Sequence, residues 1–347
     1  MAHNLSAELL QNLSNASLDH YLRGQLESQV LQDRPLFNDL MAGVKTFPGG
    51  EEFIKGNVKG VYSSSMTGYS GDDDQNYVNP GNIKQWKAKW YEVSSGIKVT
   101  FTELKAQGIH VADSAFGKDV GPLGEDGLQI IDNIMADKNE DLMEGSKRSF
   151  AEMLWRDGTQ DSKAVPGILS FILDAPTTGT TFGIDRAANS WWRNIASLSI
   201  DTSTASNNNL INDLQLKFRQ LRRYATPKHK IYAGTTWMDA MEKEMRSKGN
   251  YTQDGWSKTG RLDPSMADLA FKGVEIVYEP LLDDLSRQKY AYILDLKAIK
   301  LRPMEGEAFK VHNPARPPEK LVLYRGMTWT GALTANRLNS SMVSSIL

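Results

Sequence analysis

The stretch GTTFGIDRAANSWWRN, residues 179–194, has the most site-like combination of residue types in the chain. It places the charged pair Asp185 and Arg186 between glycines and the adjacent Trp191 and Trp192. Tryptophan rings can stack on a ligand, and the charged pair can orient one by hydrogen bonds. The stretch contains neither histidine nor cysteine. From residue types alone it is either a binding site or a piece of packing.

Elsewhere the chain offers no recognisable catalytic constellation. Its five histidines are scattered, and no two have the spacing of HExxH or of a zinc module. The glycine cluster GKDVGPLG fits neither the phosphate-binding loop nor the dinucleotide fingerprint, and no GxSxG elbow occurs. Cysteine is absent, which excludes disulfides and thiolate metal sites. We therefore predict a protein that is not an enzyme and that binds no cofactor or metal.

Two charged runs could hold ions or partners. Asp72–Asp74 could seed a calcium site, but the alternating ligands and the final glutamate of an EF-hand are missing, so a solvated hairpin tip is favoured. Lys217, Arg219, Arg222 and Arg223 could bind phosphate or an acidic partner. They alternate with an apolar stripe, which favours a helix with a solvated basic face.

Overall charge and hydropathy limit the classes of partner. The 40 basic and 42 acidic side chains give a net charge of -2, which disfavours an ordinary DNA-binding protein. No segment approaches the roughly 20 apolar residues that a membrane helix needs. The N-terminal sequence is not typical of a secretory signal. We expect no membrane contact and synthesis in a reducing cytoplasm.

The first third of the chain predicts helices followed by a long hairpin. Apolar spacing in 5–41 indicates two amphipathic helices that end near Pro35, with a short helix following. Period-two alternation in 51–107 indicates two strands around a polar, acidic insert. A strand of about 12 residues spans about 40 Å, twice the radius of gyration of about 20 Å for a compact chain of this length. Such a hairpin needs something else to lie on.

The remainder predicts a long helix and a second lobe. Residues 124–155 read as one amphipathic helix of about 45 Å, and 155–192 as an irregular connection. A helix at 207–224, a strand and helix within 229–249, and strands from 273 onward follow. The pattern predicts an α+β fold with antiparallel sheets and not a doubly wound sheet.

In this order, the segments resemble the major capsid proteins of tailed bacteriophages that have the Hong-Kong-phage-type capsid fold. That family has an N-terminal arm, an extended β-hairpin called the E-loop, a peripheral domain with a long spine helix, and an axial domain. The resemblance covers nearly the whole chain. It is carried by the phrases LFNDLMAGVKTFPGG, YSGDDDQNYVNPGNIKQWKAKW, EMLWRDGTQDSKAVPGILSFI and GIDRAANSWWRN.

The resemblance implies a division of the chain into six segments. They are an N-terminal arm at 1–48, an E-loop hairpin region at 49–107, a peripheral domain at 108–191 with its spine helix at 124–156, an axial domain at 192–290, peripheral return strands at 291–335, and a C-terminal axial tail at 336–347.

The resemblance also implies a structural role. The chain would be a major capsid (coat) protein that self-assembles into an icosahedral shell of pentamers and hexamers enclosing double-stranded DNA, without sequence-specific binding. Its place would be the virion, assembled in the host bacterial cytoplasm with a separate scaffolding protein, a portal and a decoration protein. An encapsulin-like compartment shell of the same fold is the alternative, and a soluble enzyme with an unrecognised site is a more distant one. We do not predict covalent crosslinking of subunits.

Under this hypothesis the candidate residues serve lobe junctions or contacts between subunits. Trp191 and Trp192 are expected to anchor the junction between the two lobes, and Asp185 and Arg186 to pair locally or across a subunit boundary. The full set of candidates is Trp86, Trp90, Asp185, Arg186, Trp191, Trp192, Arg219, Arg222 and Arg223.

Overall fold

The structure is a computed structural model that describes residues 32–74, 77–79, 81–100, 102–103, 125–223, 228–247, 270–312 and 322–347. Its helices are α1 (Pro35–Ala42), α2 (Glu125–Trp155), α3 (Asn209–Leu221), α4 (Thr235–Ser247) and α5 (Pro280–Asp284). Its strands are β1 (Phe53–Lys59), β2 (Ile83–Lys89), β3 (Tyr91–Thr100), β4 (Thr180–Thr181), β5 (Ile184–Asp185), β6 (Ile195–Ile200), β7 (His229–Ala233), β8 (Ala270–Phe271), β9 (Val274–Tyr278), β10 (Tyr290–Asp295), β11 (Ile299–Pro303), β12 (Lys310–Val311), β13 (Val322–Ala335) and β14 (Met342–Ile346).

The chain divides into two compact units, and the first contains most of the long helix. Helix α2 has 31 residues and a length of about 46 Å, which confirms the long helix predicted at this place. In this unit β13 pairs with β3 and, antiparallel, with β12. The ring of Phe150 packs 5.4 Å from Phe309 and 4.5 Å from Trp329, measured between ring centroids. These aromatic contacts fasten the end of α2 that lies in this unit.

The second unit comprises residues 32–92, 151–305 and 330–347 and is built on a six-stranded sheet. The strand order is β6-β14-β10-β7-β9-β8. The prediction of antiparallel sheets is wrong for two pairs, because β7 runs parallel to β9 and β14 runs parallel to β6. Helix α4 lies in the connection between β7 and β9, the kind of crossover that parallel neighbours require.

Helices α3 and α4 contribute to the main core on one face of this sheet. Apolar residues of α3 recur at helical spacing, and Leu214 and Phe218 are fully buried. The N-terminus of α3 is capped from a distance by Glu244 of α4. Its two carboxylate oxygens accept hydrogen bonds from the amides of Leu210 (3.1 Å) and Ile211 (3.0 Å).

On the strands, successive residues point to opposite faces, so Tyr232 and Tyr292 lie on the face away from this core. The ring of Trp155 packs 6.1 Å from Tyr232 and 5.3 Å from Tyr292. Helix α1 joins the same cluster, because the Tyr232 hydroxyl donates to the Asp39 carboxylate at 2.6 Å. The short helix predicted after Pro35 is confirmed as α1, with Pro35 in its first turn.

Three expectations need a correction or a limit. The paired strands β1 and β2 have seven residues each and not about 12, and β3 pairs with β13 instead of extending the hairpin. The two helices predicted before Pro35 lie almost wholly outside the described residues. The six-segment division stays a prediction. The final strand β14 is fully buried inside the sheet of the second unit.

Candidate functional site

The β1–β2 hairpin has one face that packs and one that does not. In its antiparallel register Gly56 lies opposite Trp86, and Ile54 opposite Ala88. Ile54, Trp86 and Ala88 are buried, with Trp86 only 2% exposed. A methyl group added at Gly56 would lie 2.5 Å from the Trp86 ring, so only glycine leaves room for the tryptophan to cross the strand.

Trp86 joins the hairpin to the rest of the second unit. Its ring centroid lies 6.2 Å from that of Phe182, in a T-shaped arrangement, and the Arg302 guanidinium lies 5.7 Å from the ring. Beside it the Lys87 amide donates to the Phe182 carbonyl at 2.9 Å. The Trp90 indole donates to the Glu51 carbonyl at 3.0 Å and ties the two ends of the hairpin together.

Phe182 is presented by the stretch 179–194 that the sequence singled out. Strands β4 and β5 form a two-residue ladder within it. Gly179 (φ 87°) and Gly183 (φ 77°) adopt left-handed backbone conformations that glycine accepts at low cost. The tight turn places the Phe182 ring 5.5 Å from Phe171.

Arg186 is the polar centre of this stretch. It is fully buried, and its guanidinium donates to Thr181 Oγ1 (2.8 Å), to Asn194 Oδ1 (2.8 Å) and to the Phe171 carbonyl. Burial lowers the pKa of Arg186 to about 10, so the side chain remains charged at neutral pH. The exposed Asp185 carboxylate accepts a hydrogen bond from the Ala187 amide at 2.8 Å. Arg186 thus donates hydrogen bonds to neutral oxygens and holds the stretch together from its buried side.

The two tryptophans complete the packing. Trp192 is 1% exposed, and its indole donates to the Thr181 carbonyl at 3.1 Å. Trp191, 5.8 Å from Trp192 between ring centroids, covers Gly60 at the end of β1, where an added methyl group would lie 2.0 Å from its ring. The stretch therefore packs as the anchor of the hairpin, and we call residues 179–194 the anchor loop.

The basic candidates lie outside the anchor loop, with Arg219 in α3 and with Arg222 and Arg223 directly after its last residue, Leu221. Arg219, Arg222 and Arg223 are exposed. The Arg222 guanidinium donates to the Lys272 carbonyl at 3.0 Å and lies 5.6 Å from the Phe218 ring. A solvated basic face requires this exposure, and the choice of that face over a phosphate site stays a prediction.

The sequence did not point to a buried carboxyl, Glu279, which follows β9. It is fully buried, and its Oε2 accepts a hydrogen bond from the Leu36 amide in the first turn of α1 at 3.1 Å. Burial raises the pKa of Glu279 to about 7, although the Leu36 amide and the Trp155 indole favour the charged form. A glutamate between Tyr278 and Pro280 reads as an ordinary strand end, so no local signal could have found it.

The aspartates of the predicted hairpin tip, Asp72–Asp74, do not form a metal-binding arrangement in the structure. The Asp73 carboxylate accepts a hydrogen bond from the Ser70 amide at 2.9 Å. Within the described ranges no group of three or more His, Cys, Asp or Glu side chains is placed to hold a metal ion. Among those residues no helix is both long and apolar enough to cross a bilayer.

Solved structures with the same architecture cover nearly the whole chain. The capsid of cyanophage A-1(L) matches with a TM-score of 0.64 and 14% identity, over 93% of this chain and 95% of that one. The capsid of a native GTA particle matches with a TM-score of 0.55 and 12% identity, over 99% of both. The capsid of Myoviridae phage XM1 matches at 0.54 and 11%, over 93% and 95%. The chain has the phage capsid fold.

No protein-family model matches the chain, and no curated protein matches it. The β1–β2 hairpin lies in the region predicted as the E-loop, and we use that name for the two strands and the residues between them. Among the predicted site residues, Trp86, Trp191, Trp192 and Arg186 come together beside the paired strands β1 and β2, which form the base of the E-loop, and Asp185 is exposed on the anchor loop. Trp90 fastens the ends of the E-loop instead.

Proposed function

We propose that this protein is a major capsid protein, a coat subunit that self-assembles into an icosahedral shell of pentamers and hexamers around the double-stranded DNA of a tailed phage. The observation that carries the proposal is a capsid fold that includes an E-loop whose outer residues, 61–74 and 77–79, are all exposed. A single subunit leaves that surface in water, whereas a shell covers it.

The apolar character of the outer E-loop supports this role. Thirteen large hydrophobic residues are exposed in the described part of the chain, and seven of them lie between positions 61 and 83. They are Val61, Tyr62, Met66, Tyr69, Tyr77, Val78 and Ile83. Exposed apolar side chains concentrated in one segment are typical of a protein interface. Burying them against neighbouring copies stabilises the assembly by about 25 cal/mol per Å² before ordering costs.

The base of the E-loop supports it as well. Trp86, Gly56 and the anchor loop hold β1 and β2 against the second unit. A hairpin fixed at its base presents its outer part in a defined direction, which lowers the entropy lost on binding a neighbour. The anchor loop would therefore act on assembly through the E-loop it holds.

The charge of the chain suits a container for DNA. A net charge of -2 gives the subunit no strong general attraction for phosphate, and a shell must enclose DNA without gripping it. We place the protein in the virion, assembled in the host bacterial cytoplasm. Further proposed partners are a separate scaffolding protein, a portal and a decoration protein.

Electron microscopy of the recombinant full chain, alone and with candidate scaffolding proteins, tests the self-assembly. Closed isometric particles are expected, and soluble subunits under every condition would contradict the proposal. Particles from the natural source should protect genome-length DNA from nuclease. Particles filled with an enzyme instead would establish the encapsulin-like alternative.

A further inference from the structure

The outward side of the E-loop hairpin carries an array of lysines. Residues that lie directly opposite each other in an antiparallel ladder share a face, and Lys55 lies opposite Lys87. Lys89 and Lys59 occupy the same face toward either end of the ladder. All four side chains are exposed. We call Lys55, Lys59, Lys87 and Lys89 the lysine face.

The described part of the chain compensates this charge only weakly. Like charges opposite each other destabilise a ladder. One carboxylate among the described residues pairs with the lysine face, that of Glu51, which lies 3.0 Å from Lys55 in an exposed pair. Lys59 lies 4.4 Å from the Tyr62 ring centroid and Lys89 lies 5.7 Å from that of Tyr91. The face is therefore suited to an anionic partner.

The loop that joins the two strands of the same hairpin carries the complementary, negative charge. Asp72–Asp74 are exposed, and no lysine or arginine of the described residues pairs with them. The seven-residue ladder alone spans about 23 Å, and 60–70, all of it outside strands, continues beyond it. The negative charges thus lie in the loop that joins β1 and β2, and the positive charges lie along the paired strands.

This separation of charges within one hairpin determines which contact between two copies of the chain is attractive. A two-fold axis would pair the tip and the face of two copies reciprocally and end there, whereas a head-to-tail contact brings the tip of each copy to the base of the next, as the rings of the proposed pentamers and hexamers require. Head-to-tail contacts repeat around a ring. Three aspartates facing four lysines leave little net charge in the contact, which favours a second copy as the occupant.

We propose that Asp72–Asp74 of one subunit dock on the lysine face of the next subunit, head to tail. This inference rests on the proposed function and adds a charge contact that orders neighbouring E-loops. Attraction of opposite charges steers the encounter, and juxtaposed like charges reject a wrong register.

A charge-swap experiment on the full chain tests it. One variant reverses the face, Lys55→Glu with Lys87→Glu, a second reverses the tip, Asp72→Lys with Asp73→Lys, and a third combines all four changes. Each half-reversal should reduce the fraction of protein in shells by about tenfold or more, because the face reversal cancels the charge of the lysine face and the tip reversal makes the tip positive, so the attraction is lost at every contact. The combined variant again places opposite charges at the four substituted positions and should recover to within about threefold of wild type. Its recovery also shows that both pairs of substitutions allow folding.

Lys163→Glu with Lys243→Glu changes two exposed lysines outside both the hairpin and the candidate set, makes the same change in net charge as the face reversal, and should assemble normally. Normal assembly of both half-reversals, or a combined variant worse than either, overturns the proposed contact while leaving the capsid role intact. Face-reversed shells that form normally but package less DNA would assign the lysines to phosphate and also overturn it. Failure of the wild type to assemble would contradict the proposed function itself.

Discussion

Replacing Glu279 with glutamine should change how stability depends on pH. The carboxyl is fully buried and accepts the Leu36 amide of α1, with the Trp155 indole nearby. Glutamine has nearly the same shape and keeps an oxygen acceptor for that amide, but it cannot ionise. The substitution therefore removes the titration and leaves the packing.

The size of the effect follows from the pKa. Burial raises the pKa of Glu279 from 4.5 to about 7, and a tenfold change in an acid dissociation constant corresponds to about 1.4 kcal/mol. Between these two values the folded protein holds a proton that the unfolded chain has released. Its contribution to stability is complete below about pH 4.5 and is lost as the pH rises through about 7. The loss amounts to about 3 kcal/mol.

Urea unfolding, followed by tryptophan fluorescence at one protein concentration, measures this loss. The free energy of unfolding of Glu279→Gln minus that of wild type should increase by about 3 kcal/mol between pH 4.5 and pH 8. All other groups titrate in both proteins, so the difference reports on Glu279. A difference that does not change with pH would refute the reasoning, and a difference that decreases would show that the folded protein prefers the charged carboxylate.

Three further substitutions test how the E-loop is held. Gly56→Ala places a methyl group 2.5 Å from the Trp86 ring and should lower the free energy of unfolding by about 1–3 kcal/mol. The control Gly71→Ala, with nothing within 4 Å, should leave the free energy of unfolding unchanged in the same assay. Equal losses of stability in the two variants would contradict the packing. Trp192→Ala should cost about 3–5 kcal/mol and lower the yield of particles in gradient sedimentation, and a normal yield of normal shells would show that the anchor loop is misassigned. Arg186→Met removes the donor of Thr181 Oγ1 and of the Phe171 carbonyl, whereas Asn194 Oδ1 keeps the Leu173 amide at 3.1 Å. The change should cost several kcal/mol, at about 1–3 kcal/mol for each unpaired acceptor, and a melting temperature equal to that of wild type would contradict the buried network.

Local periodicity predicted the elements that span long stretches of sequence. The apolar spacing of 124–155 predicted α2, and alternation around an acidic insert predicted the β1–β2 hairpin. The lengths of the strands were overestimated because alternation continues through Trp90 into β3, although the chain changes pairing partner there. Periodicity reports which face of a strand is buried, but not which strand lies beside it.

Contacts between residues that are far apart in the sequence could not be predicted, for the same reason. Nothing in the C-terminal residues indicates that β14 inserts between β6 and β10, or that Glu279 reaches the amide of Leu36, 243 positions away. The adjacent Asp185 and Arg186 suggested an ion pair, but the turn at Gly183 directs the arginine inward to neutral oxygens. Such partners depend on tertiary packing and not on neighbours in the sequence.

Sedimentation velocity of the freshly purified full chain tests the central claim most directly. The account predicts that protein enters particles of megadalton mass, with a fraction that grows as the concentration rises. A single species of 38.7 kDa at all concentrations, with and without a scaffolding protein, would contradict it.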